Sequence, residues 1–483
     1  MSANPVIVWF RNDLRLHDHP ALTAAVKSGT PLVLVYILDD DAAGHWKLGG
    51  ASRWWLANSL DALAKDIEHR GGRLLLRRGE TSNQLQRLAE ETHASAIYFT
   101  RGYEPSAVAL ESRLHSAFAK TQVALKRYGG RLIREPEELR TAAGKPFQVY
   151  SPFWRAFTSD LLVAKELSAP RRLVPPAEAV ASEKLTDWNL LPSKPDWSSG
   201  LADTWVPGEE GARSRLKTFA AGALATYAQS RDRPDQCGTS RLSPHLAFGE
   251  ISPAACWRAA VHAQHEKELG EKSVETFMRE LVWREFSYSL LFHLPEMPEK
   301  ALRTEFSAFP WRNSAADLKA WRRGETGYPI VDAGMRELWS TGYMHNRVRM
   351  IVASFLTKHL LLHWTEGEAC FWDTLVDADL ANNSASWQWV AGCGADAAPY
   401  FRIFNPILQG QKFDPEGKYV SKWVPELARL PASELHSPWA ASVSALQRAD
   451  VKLGKTYPEP IVDHQIARER ALKIYQNLPR STS

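Results

Sequence analysis

The sequence predicts two folded regions of different class: an N-terminal α/β domain with a Rossmann-like, doubly wound parallel sheet, and an all-α C-terminal domain. Short apolar runs alternate with amphipathic helical segments over residues 1–130, whereas helical periodicity fills residues 211–476. Between them, over residues 131–210, proline, serine and charge become more frequent, which predicts a long connector with short helices. A chain of 483 residues is also too long for a single hydrophobic core.

Five apolar runs predict the buried parallel strands of the α/β domain. They are Val6–Phe10, Leu32–Leu38, Arg73–Leu76, Ala96–Thr100 and Val123–Tyr128. Amphipathic segments between them, such as Arg53–Arg70 and Glu104–Lys120, predict the crossover helices. Because the GxGxxG fingerprint and the P-loop are both absent, no motif predicts a nucleotide in this domain.

The helical domain shows apolar residues at i, i+3 and i+4 in three long segments. These are Val274–Leu291, Ala333–Trp339 and Arg347–Leu362. Tryptophan is the compositional outlier of the chain, with 19 residues. Packing accounts for some of them, and stacking on flavins or bases, or electron transfer, would account for the rest.

Composition narrows the class of protein. The net charge of +4 is mildly basic, which is consistent with nucleic-acid contact but is shared by many proteins that bind none. No apolar run reaches the ~20 residues of a membrane helix, and the N-terminus lacks the features of a signal peptide. We therefore expect a cytoplasmic protein without a membrane partner. The cysteines lack metal-ligand spacing and are expected to be reduced, buried thiols: Cys237, Cys256, Cys370 and Cys393.

One candidate anion site lies where Tyr227 and Arg231 are followed by the string from Gly238 to Ser243. A glycine, several hydroxyls and an arginine before a helix supply amide, hydroxyl and cationic donors that suit a pyrophosphate. An ordinary helix cap explains the same residues, so both interpretations stand at this point.

Three further clusters lie in the helical domain. Glu280 and Arg284 share a helix face, as a surface ion pair or as part of a site. Arg347 and Arg349 are two residues apart and point to different sides of a helix, so that one can face an anion. Asp377 and Asp379 precede paired asparagines, but the glycine and glutamate of an EF-hand loop are missing, which argues against a metal. Carboxylates and carboxamides there suit the hydrogen-bonding edge of a ring system.

The order and spacing of these clusters resemble those of the DNA photolyase and cryptochrome family over nearly the whole chain. Long strings of low degeneracy carry the resemblance: Val8–Arg15, Thr326–Ala333, Met344–Arg347 and Ala397–Pro406. The resemblance implies FAD in the helical domain and ultraviolet-damaged DNA as partner, with the chain a monomer that associates with the bacterial nucleoid when bound to DNA.

The resemblance also implies roles for individual residues. Those expected to hold the FAD phosphates are Tyr227, Thr239, Ser240, Arg241, Leu242 and Ser243. Phe277 lies near the adenine and Arg284 contacts the cofactor, while Arg349 and Asp377 pair over the isoalloxazine ring with Asp379 at its edge. Asn383 faces flavin N5; its neutral amide has no proton to give, which favours the anionic reduced flavin that donates the electron for repair.

A lesion pocket and an electron path are implied in the same way. The pocket residues are Glu280, Trp283, Asn346, Met350 and Trp389, and the DNA-backbone contacts are Arg231, Arg347 and Arg402. The electron chain is Trp387, Trp364 and Trp311, with Trp372 as a possible branch.

The resemblance favours a deoxyribodipyrimidine photo-lyase of class III that splits cyclobutane pyrimidine dimers. Asn346 before Arg347, with a single neighbouring His345, differs from the histidine pair of enzymes that act on (6-4) photoproducts. A cryptochrome-type photoreceptor and a generic flavin oxidoreductase are competing hypotheses. Trp283, Trp389, Asn383 and the absence of a long C-terminal tail argue against the photoreceptor, and the lack of acid–base candidates argues against the oxidoreductase.

An antenna pigment is also implied for the α/β domain. Trp54, Trp55 and Glu104 lie in segments that line this pigment in relatives. The pigment that we expect there is methenyltetrahydrofolate.

Overall fold

The computed structural model describes residues 4–397 and 401–479. The chain forms two compact units. The first contains the chain up to Ala225, Ser240–Pro295 and Val376–Ala381; the second contains Thr226–Thr239, Glu296–Leu375 and the chain from Asn382 onwards. The division into 1–130, 131–210 and 211–476 stays a prediction, since these units are defined by contact density and not by chain continuity.

A five-stranded parallel sheet forms the centre of the α/β region, with strand order β3-β2-β1-β4-β5. The strands are β1 Val6–Phe10, β2 Leu32–Leu38, β3 Leu74–Arg78, β4 Ala96–Thr100 and β5 Ala124–Tyr128. Starting from β1, the chain adds β2 and β3 on one side of the sheet and then β4 and β5 on the other. This order is expected for a doubly wound sheet, because crossovers of one hand then place helices on both faces.

α-Helices account for about half of the remaining chain. Those before residue 226 are α1 Pro20–Lys27, α2 Gly50–Glu68, α3 Thr81–Thr92, α4 Pro105–Phe118, α5 Tyr150–Thr158, α6 Ser199–Thr204 and α7 Glu209–Ala221. The later ones are α8 Tyr227–Ser230, α9 Ser243–Ala247, α10 Pro253–Lys267, α11 Glu271–His293, α12 Ala315–Arg323, α13 Pro329–Thr341, α14 Asn346–Ser354, α15 Trp364–Thr374, α16 Leu380–Ala391, α17 Pro406–Phe413, α18 Lys418–Trp423, α19 Ala432–Leu435, α20 Val443–Ala449 and α21 His464–Gln476.

The predicted fold class is confirmed: an α/β N-terminal region and a helical C-terminal region. The five strands lie within two residues of their predicted positions. Burial of the fifth strand was predicted wrongly, because β5 lies at the sheet edge and its residues are exposed or half-buried. An edge strand pairs with one neighbour only, and Lys126 and Arg127 of β5 are exposed.

A buried carboxylate joins three helices of the first unit. Glu250 Oε1 accepts hydrogen bonds from the Trp55 indole in α2, at 2.9 Å, and from the Gly208 amide before α7, at 2.8 Å. Its Oε2 lies 2.5 Å from His245 Nδ1 in α9. Because Glu250 and His245 are fully buried, these contacts replace the solvation that both groups lose on folding.

In the second unit, α13 packs against α12, α14, α17 and α18. Gly334 permits the close approach of α14, since a Cβ there would clash with Val348. The helix predicted over Arg347–Leu362 ends early: α14 passes into a π-helical turn over Phe355–His359, and Leu361 has a left-handed φ of 54°. A non-glycine residue in that conformation ends a right-handed helix.

The four cysteines are free thiols, but only Cys256 and Cys393 are buried; Cys237 is exposed and Cys370 half-buried. The expectation of four buried thiols was therefore wrong, because Cys237 lies in an irregular segment before α9 and not on an apolar helix face. Among the helices that the structure describes, none combines the length and hydropathy needed to cross a bilayer.

Trp55→Phe should lower the free energy of unfolding by roughly 1–3 kcal/mol, because Glu250 loses a charged hydrogen bond that water cannot replace. Urea unfolding followed by circular dichroism measures the change. Trp339→Phe is the control, since this side chain is 69% exposed, and its effect should stay within about 0.5 kcal/mol. Equal unfolding midpoints for the two variants would contradict the role given to Glu250.

Candidate functional site

A buried polar network surrounds Arg131 in the first unit. Arg131 Nη2 lies 2.6 Å from Glu104 Oε1, at the start of α4, and donates to the Tyr288 hydroxyl in α11 at 2.7 Å. Tyr288 in turn donates to Asp379 Oδ2, which lies 4.0 Å from Arg131. The network thus connects a residue predicted for the antenna site with one predicted for the flavin edge.

The charges of this network follow from burial and pairing. Burial raises the pKa of Glu104, but Arg131 outweighs it and lowers that pKa to about 2. Burial lowers the pKa of Arg131, but Glu104, Tyr288 and Asp379 raise it by more, so the pKa lies above its ordinary value. Burial holds the pKa of Tyr288 far above its ordinary value, so this hydroxyl keeps the proton that it donates.

Arg284 lies beside this network and fits a cofactor. Its Nη1 donates to the Arg131 carbonyl at 3.0 Å, and its guanidinium lies 4.7 Å from the centre of the Tyr288 ring. Its Nη2 is buried and has no hydrogen-bond partner among the described residues. A buried cationic donor left without a partner suits an oxygen of a bound molecule.

The segment Thr239–Ser243 takes up the geometry of a loop before a short helix. Gly238 has no room for a Cβ, which would lie 2.6 Å from the Ser230 carbonyl oxygen, and Arg241 is left-handed with φ 51°. The cap residue of α9 is Leu242, and no side chain caps that helix. The helix-cap interpretation of these hydroxyls therefore finds no support, while Ser243 is exposed at the first turn.

Asn383, in the second unit, is hydrogen-bonded to the backbone of α15. Its Nδ2 donates to the Glu368 carbonyl at 3.0 Å, and the adjacent Ser384 donates to the Glu368 carboxyl at 2.5 Å. Since the amide NH₂ group is engaged with α15, the orientation of the Asn383 carboxamide is fixed. Glu368 is fully buried, and burial raises its pKa to about 8.

The three predicted electron-transfer tryptophans lie in the second unit: Trp364 in α15, Trp387 in α16 and Trp311 before α12. Trp387 packs on Gly367 of α15, where any Cβ would clash with the indole, and Trp364 begins the same helix. The ring of His363 lies 5.5 Å from that of Trp364 and 5.1 Å from that of Trp311, which is half-buried. Trp372 is half-buried on α15 as well.

Trp283 is half-buried on α11 and has one face covered. Tyr150 of α5 stacks on it with ring centres 3.7 Å apart and planes 5° apart. The Tyr150 hydroxyl donates to the Arg279 carbonyl at 2.7 Å, which fixes the tyrosine against α11. The stacked pair makes a rigid aromatic wall, and Glu280, half-buried, lies one turn before Trp283 on the same helix.

The remaining predicted pocket residues lie in the second unit. Trp389 is half-buried, with Nε1 donating to the Asp396 carbonyl at 3.1 Å, and the exposed Arg402 lies 5.9 Å from its ring. Asn346 is exposed at the start of α14, and Met350 is half-buried one turn later.

Asp232 lies beside two of the predicted DNA-backbone contacts. Its carboxylate is 2.8 Å from Arg347 Nη2 and 3.8 Å from Arg231 Nε. Arg349 donates to the Met344 carbonyl at 2.7 Å.

Four residues predicted for cofactor sites are buried against other side chains. Tyr227 lies under the Arg231 guanidinium, at 5.7 Å, and Phe277 packs on Phe219 with ring centres 4.8 Å apart. Trp54 and Trp55 are both buried, and Trp55 is surrounded by the rings of Trp54, Trp205, His245 and Phe248. For Trp55, these contacts favour packing over a contact with a pigment.

Asp377 is buried in the first unit, whereas Arg349 belongs to the second. Their ion pair stays a prediction. Ala398, Pro399 and Tyr400, part of one string that carries the family resemblance, lie outside the described residues.

Sequence reasoning missed Arg131, Tyr288, Glu368 and Tyr150. Arg131 and Tyr288 are 157 residues apart, and Tyr288 and Asp379 are 91 apart, so no local pattern connects them. The one signal in the sequence was the position of Tyr288, one turn after Arg284 on the same helix face.

Two family models match the chain. The model described as DNA photolyase matches residues 6–173, and the model described as the FAD binding domain of DNA photolyase matches residues 277–477. Both matches fall on regions that carry predicted site residues.

Individual proteins match over nearly the whole chain. A deoxyribodipyrimidine photo-lyase of Agrobacterium fabrum is 51% identical over 482 residues, with 100% of each chain covered. Cryptochrome-1 of Arabidopsis thaliana is 38% identical over 475 residues, 96% of this chain and 69% of its own. The crystal structure of a bacterial class III photolyase from Agrobacterium tumefaciens, 51% identical, superposes with a TM-score of 0.95 over 99% of this chain and 98% of that one.

Glu368→Gln should flatten the pH dependence of stability. In the unfolded chain this carboxyl ionises near its ordinary pKa of 4.5, but in the folded protein it keeps its proton up to about pH 8. Its contribution is thus fully present below the unfolded pKa and is lost as the pH rises towards 8. The variant should remove up to about 1.4 kcal/mol per pH unit of that fall in unfolding free energy.

Urea unfolding at several pH values between about 5 and 8 measures this slope. Glu366→Gln is the matched control, because that side chain is on the same helix and 50% exposed, and it should leave the slope unchanged. A slope in Glu368→Gln equal to that of the original protein would refute the buried, protonated carboxyl.

Proposed function

Because the chain belongs to the DNA photolyase and cryptochrome family, we propose that it is a deoxyribodipyrimidine photo-lyase that splits cyclobutane pyrimidine dimers with light. The observation that carries the proposal is the Trp283–Tyr150 stack, a rigid aromatic wall with one face covered, of the kind that a flipped-out dinucleotide needs. The greater identity to a photo-lyase, 51%, than to a cryptochrome, 38%, supports it.

FAD fits the residues of the helical region. The buried Nη2 of Arg284 and the donors of Thr239–Ser243 suit the cofactor's oxygens, and Asp379 suits the edge of the ring. When bound, reduced FAD supplies the electron that light transfers to the lesion. Asn383 would face N5, where its neutral amide, oriented by the Glu368 carbonyl, offers a hydrogen bond but no acidic proton.

The lesion is held by stacking and hydrogen bonding. Flipping the damaged dinucleotide out of the duplex costs a few kcal/mol, and stacking on Trp283 and Trp389 would return about 1–3 kcal/mol per base. Glu280 would accept a hydrogen bond from a thymine, and Asn346 and Met350 would complete the walls. Arg231, Arg347 and Arg402 would contact phosphates, with Asp232 keeping Arg347 in place until DNA binds.

Trp387, Trp364 and Trp311 would carry an electron inward when oxidised FAD is photoreduced. The His363 ring contacts the indoles of both Trp364 and Trp311. Trp372 is a possible branch.

We further propose class III membership, methenyltetrahydrofolate as antenna pigment near Trp54 and Glu104, a monomeric state, and a cytoplasmic location on the nucleoid. The similarity to a bacterial class III photolyase supports the class and the bacterial setting. Glu104 is only partly exposed and is already paired with Arg131, so a pigment there would meet an ionised carboxylate.

Cryptochrome-type signalling and (6-4) repair are the competing functions. His345 is buried, and burial lowers its pKa to about 4, so it is neutral at neutral pH and is not poised as the acid that (6-4) repair would require. Asn346 beside it cannot act as an acid either.

The test is light-dependent repair by pre-reduced protein. An oligothymidylate carrying cyclobutane dimers and a duplex carrying a (6-4) photoproduct are each illuminated with blue light, with dark controls. We expect thymines to be restored only from the dimer and only in the light. Repair of the (6-4) duplex alone, or of neither substrate, would refute the proposal.

Trp283→Ala should weaken binding of dimer-containing DNA about 10-fold or more, since one stacking surface is lost. Binding of undamaged DNA should stay the same, because phosphate contacts dominate it. Trp339→Ala is the control, as an exposed tryptophan on α13. Fluorescence anisotropy compares the two; equal losses for damaged and undamaged DNA would argue against a lesion wall.

Trp364→Phe should slow photoreduction of oxidised flavin and leave repair by pre-reduced protein unchanged, because only the former needs the tryptophan path. Trp321→Phe is the control and should leave photoreduction unchanged. Trp321 is buried, contacts Trp387 edge-on and donates to the Val352 carbonyl, but it is not part of the proposed electron path. Absorbance during illumination follows the reduction. If pre-reduced Trp364→Phe also fails to repair dimers, the electron-path assignment is wrong.

A further inference from the structure

We propose that Arg131 and Tyr288 are positioning residues that fix the carboxylate of Asp379 and thereby set the reduction equilibrium of the flavin. The inference rests on the proposed function, which places Asp379 at the edge of the isoalloxazine ring. Neither residue is expected to touch DNA.

The direction of the hydrogen bonds in this network is determined by chemistry. A guanidinium can only donate, so the contact from Arg131 Nη2 at 2.7 Å makes the Tyr288 oxygen an acceptor. The single hydroxyl hydrogen of Tyr288 is then directed to Asp379 Oδ2. One carboxylate oxygen of Asp379 is thereby held, and the plane of the carboxylate is restricted.

The Tyr288 ring has little freedom to move. It is fully buried, meets the Tyr103 ring edge-on at 5.8 Å, and has the guanidinium groups of Arg131 and Arg284 at 5.1 and 4.7 Å from its centre. Asp379 therefore takes its hydrogen bond from a fixed donor, as a site on rigid elements requires.

The charge balance connects this geometry to the flavin. Arg131 lies 2.6 Å from Glu104 and 4.0 Å from Asp379, so this buried cation is close to two carboxyl groups. Without the Tyr288 hydroxyl, more negative charge on Asp379 is left uncompensated at the ring edge. A negative potential there disfavours adding electrons to the flavin, and the reduced form becomes less populated.

The neighbouring Tyr103 provides a control, because its ring contacts that of Tyr288 while its hydroxyl serves a different, half-buried carboxylate. Tyr103 is also buried and donates to a carboxylate, Glu135, at 2.9 Å, and Glu135 is paired with Arg101 at 2.7 Å. No predicted flavin-contacting residue belongs to this cluster. Tyr103→Phe thus removes a tyrosine hydroxyl, keeps the ring that contacts Tyr288, and leaves the hydrogen bond from Tyr288 to Asp379 in place.

The experiment is a redox titration of the FAD-loaded protein, followed by flavin absorbance without DNA. In Tyr288→Phe, the ratio of reduced to oxidised flavin at a fixed potential should fall about tenfold, the effect of one hydrogen bond to a charged group. Tyr103→Phe should match the original protein. In an Asp379→Asn background, Tyr288→Phe should have no further effect, since the positioned charge is gone.

An unchanged ratio in FAD-loaded Tyr288→Phe, or an equal fall in the Asp379→Asn background, would overturn the inference. If Tyr288→Phe does not retain FAD, Arg131→Lys replaces it. Arg131 donates from Nη1 to Glu104 at 2.9 Å and from Nη2 to Glu104 and Tyr288, and a lysine keeps the charge but not this set of contacts. The ratio should again fall, and an unchanged ratio would overturn the inference. Because the readout needs no DNA, failure of the original protein to repair dimers would refute the proposed function and leave this result standing.

Discussion

The buried guanidinium of Arg131 imposes the main constraint on the first unit. An unpaired buried charge would be strongly destabilising, so the chain must bring it anionic and hydrogen-bonding partners. Glu104 comes from the start of α4, Tyr288 from the C-terminal part of α11, and Asp379 from the short segment before α16. The Arg131 carbonyl also receives Arg284. Meeting this single requirement therefore brings together residues predicted for two different cofactors.

Three residues that we propose for the site are each held by a neighbouring group. Trp283 is backed by Tyr150, Asn383 by the Glu368 carbonyl, and Asp379 by Tyr288. Electron transfer from an excited donor requires fixed geometry and no acid–base step, so rigidity in these supports serves the chemistry better than a titrating group would.

The fold could be predicted from local patterns, and the supports of the site could not. Apolar runs such as Val6–Phe10 and the period of α11 are properties of neighbouring residues, so both were found. The exposure of β5 and the π-helical turn after α14 depend on what packs beside them. Asp379 and Asn383 belong to a polar cluster that stands out in the sequence, and the family resemblance gave them their roles. Tyr288 and Glu368 contact these residues from other helices, 91 and 15 residues away, so no local pattern indicated them.

The most direct test of light-driven electron donation is the excited-state lifetime of the reduced flavin, measured by time-resolved fluorescence of the FAD-loaded protein. Electron transfer to a bound dimer opens a new decay route. The lifetime should therefore shorten when dimer-containing DNA is added, and undamaged DNA of the same sequence should leave it unchanged. Equal lifetimes with saturating damaged and undamaged DNA would contradict repair by electron transfer.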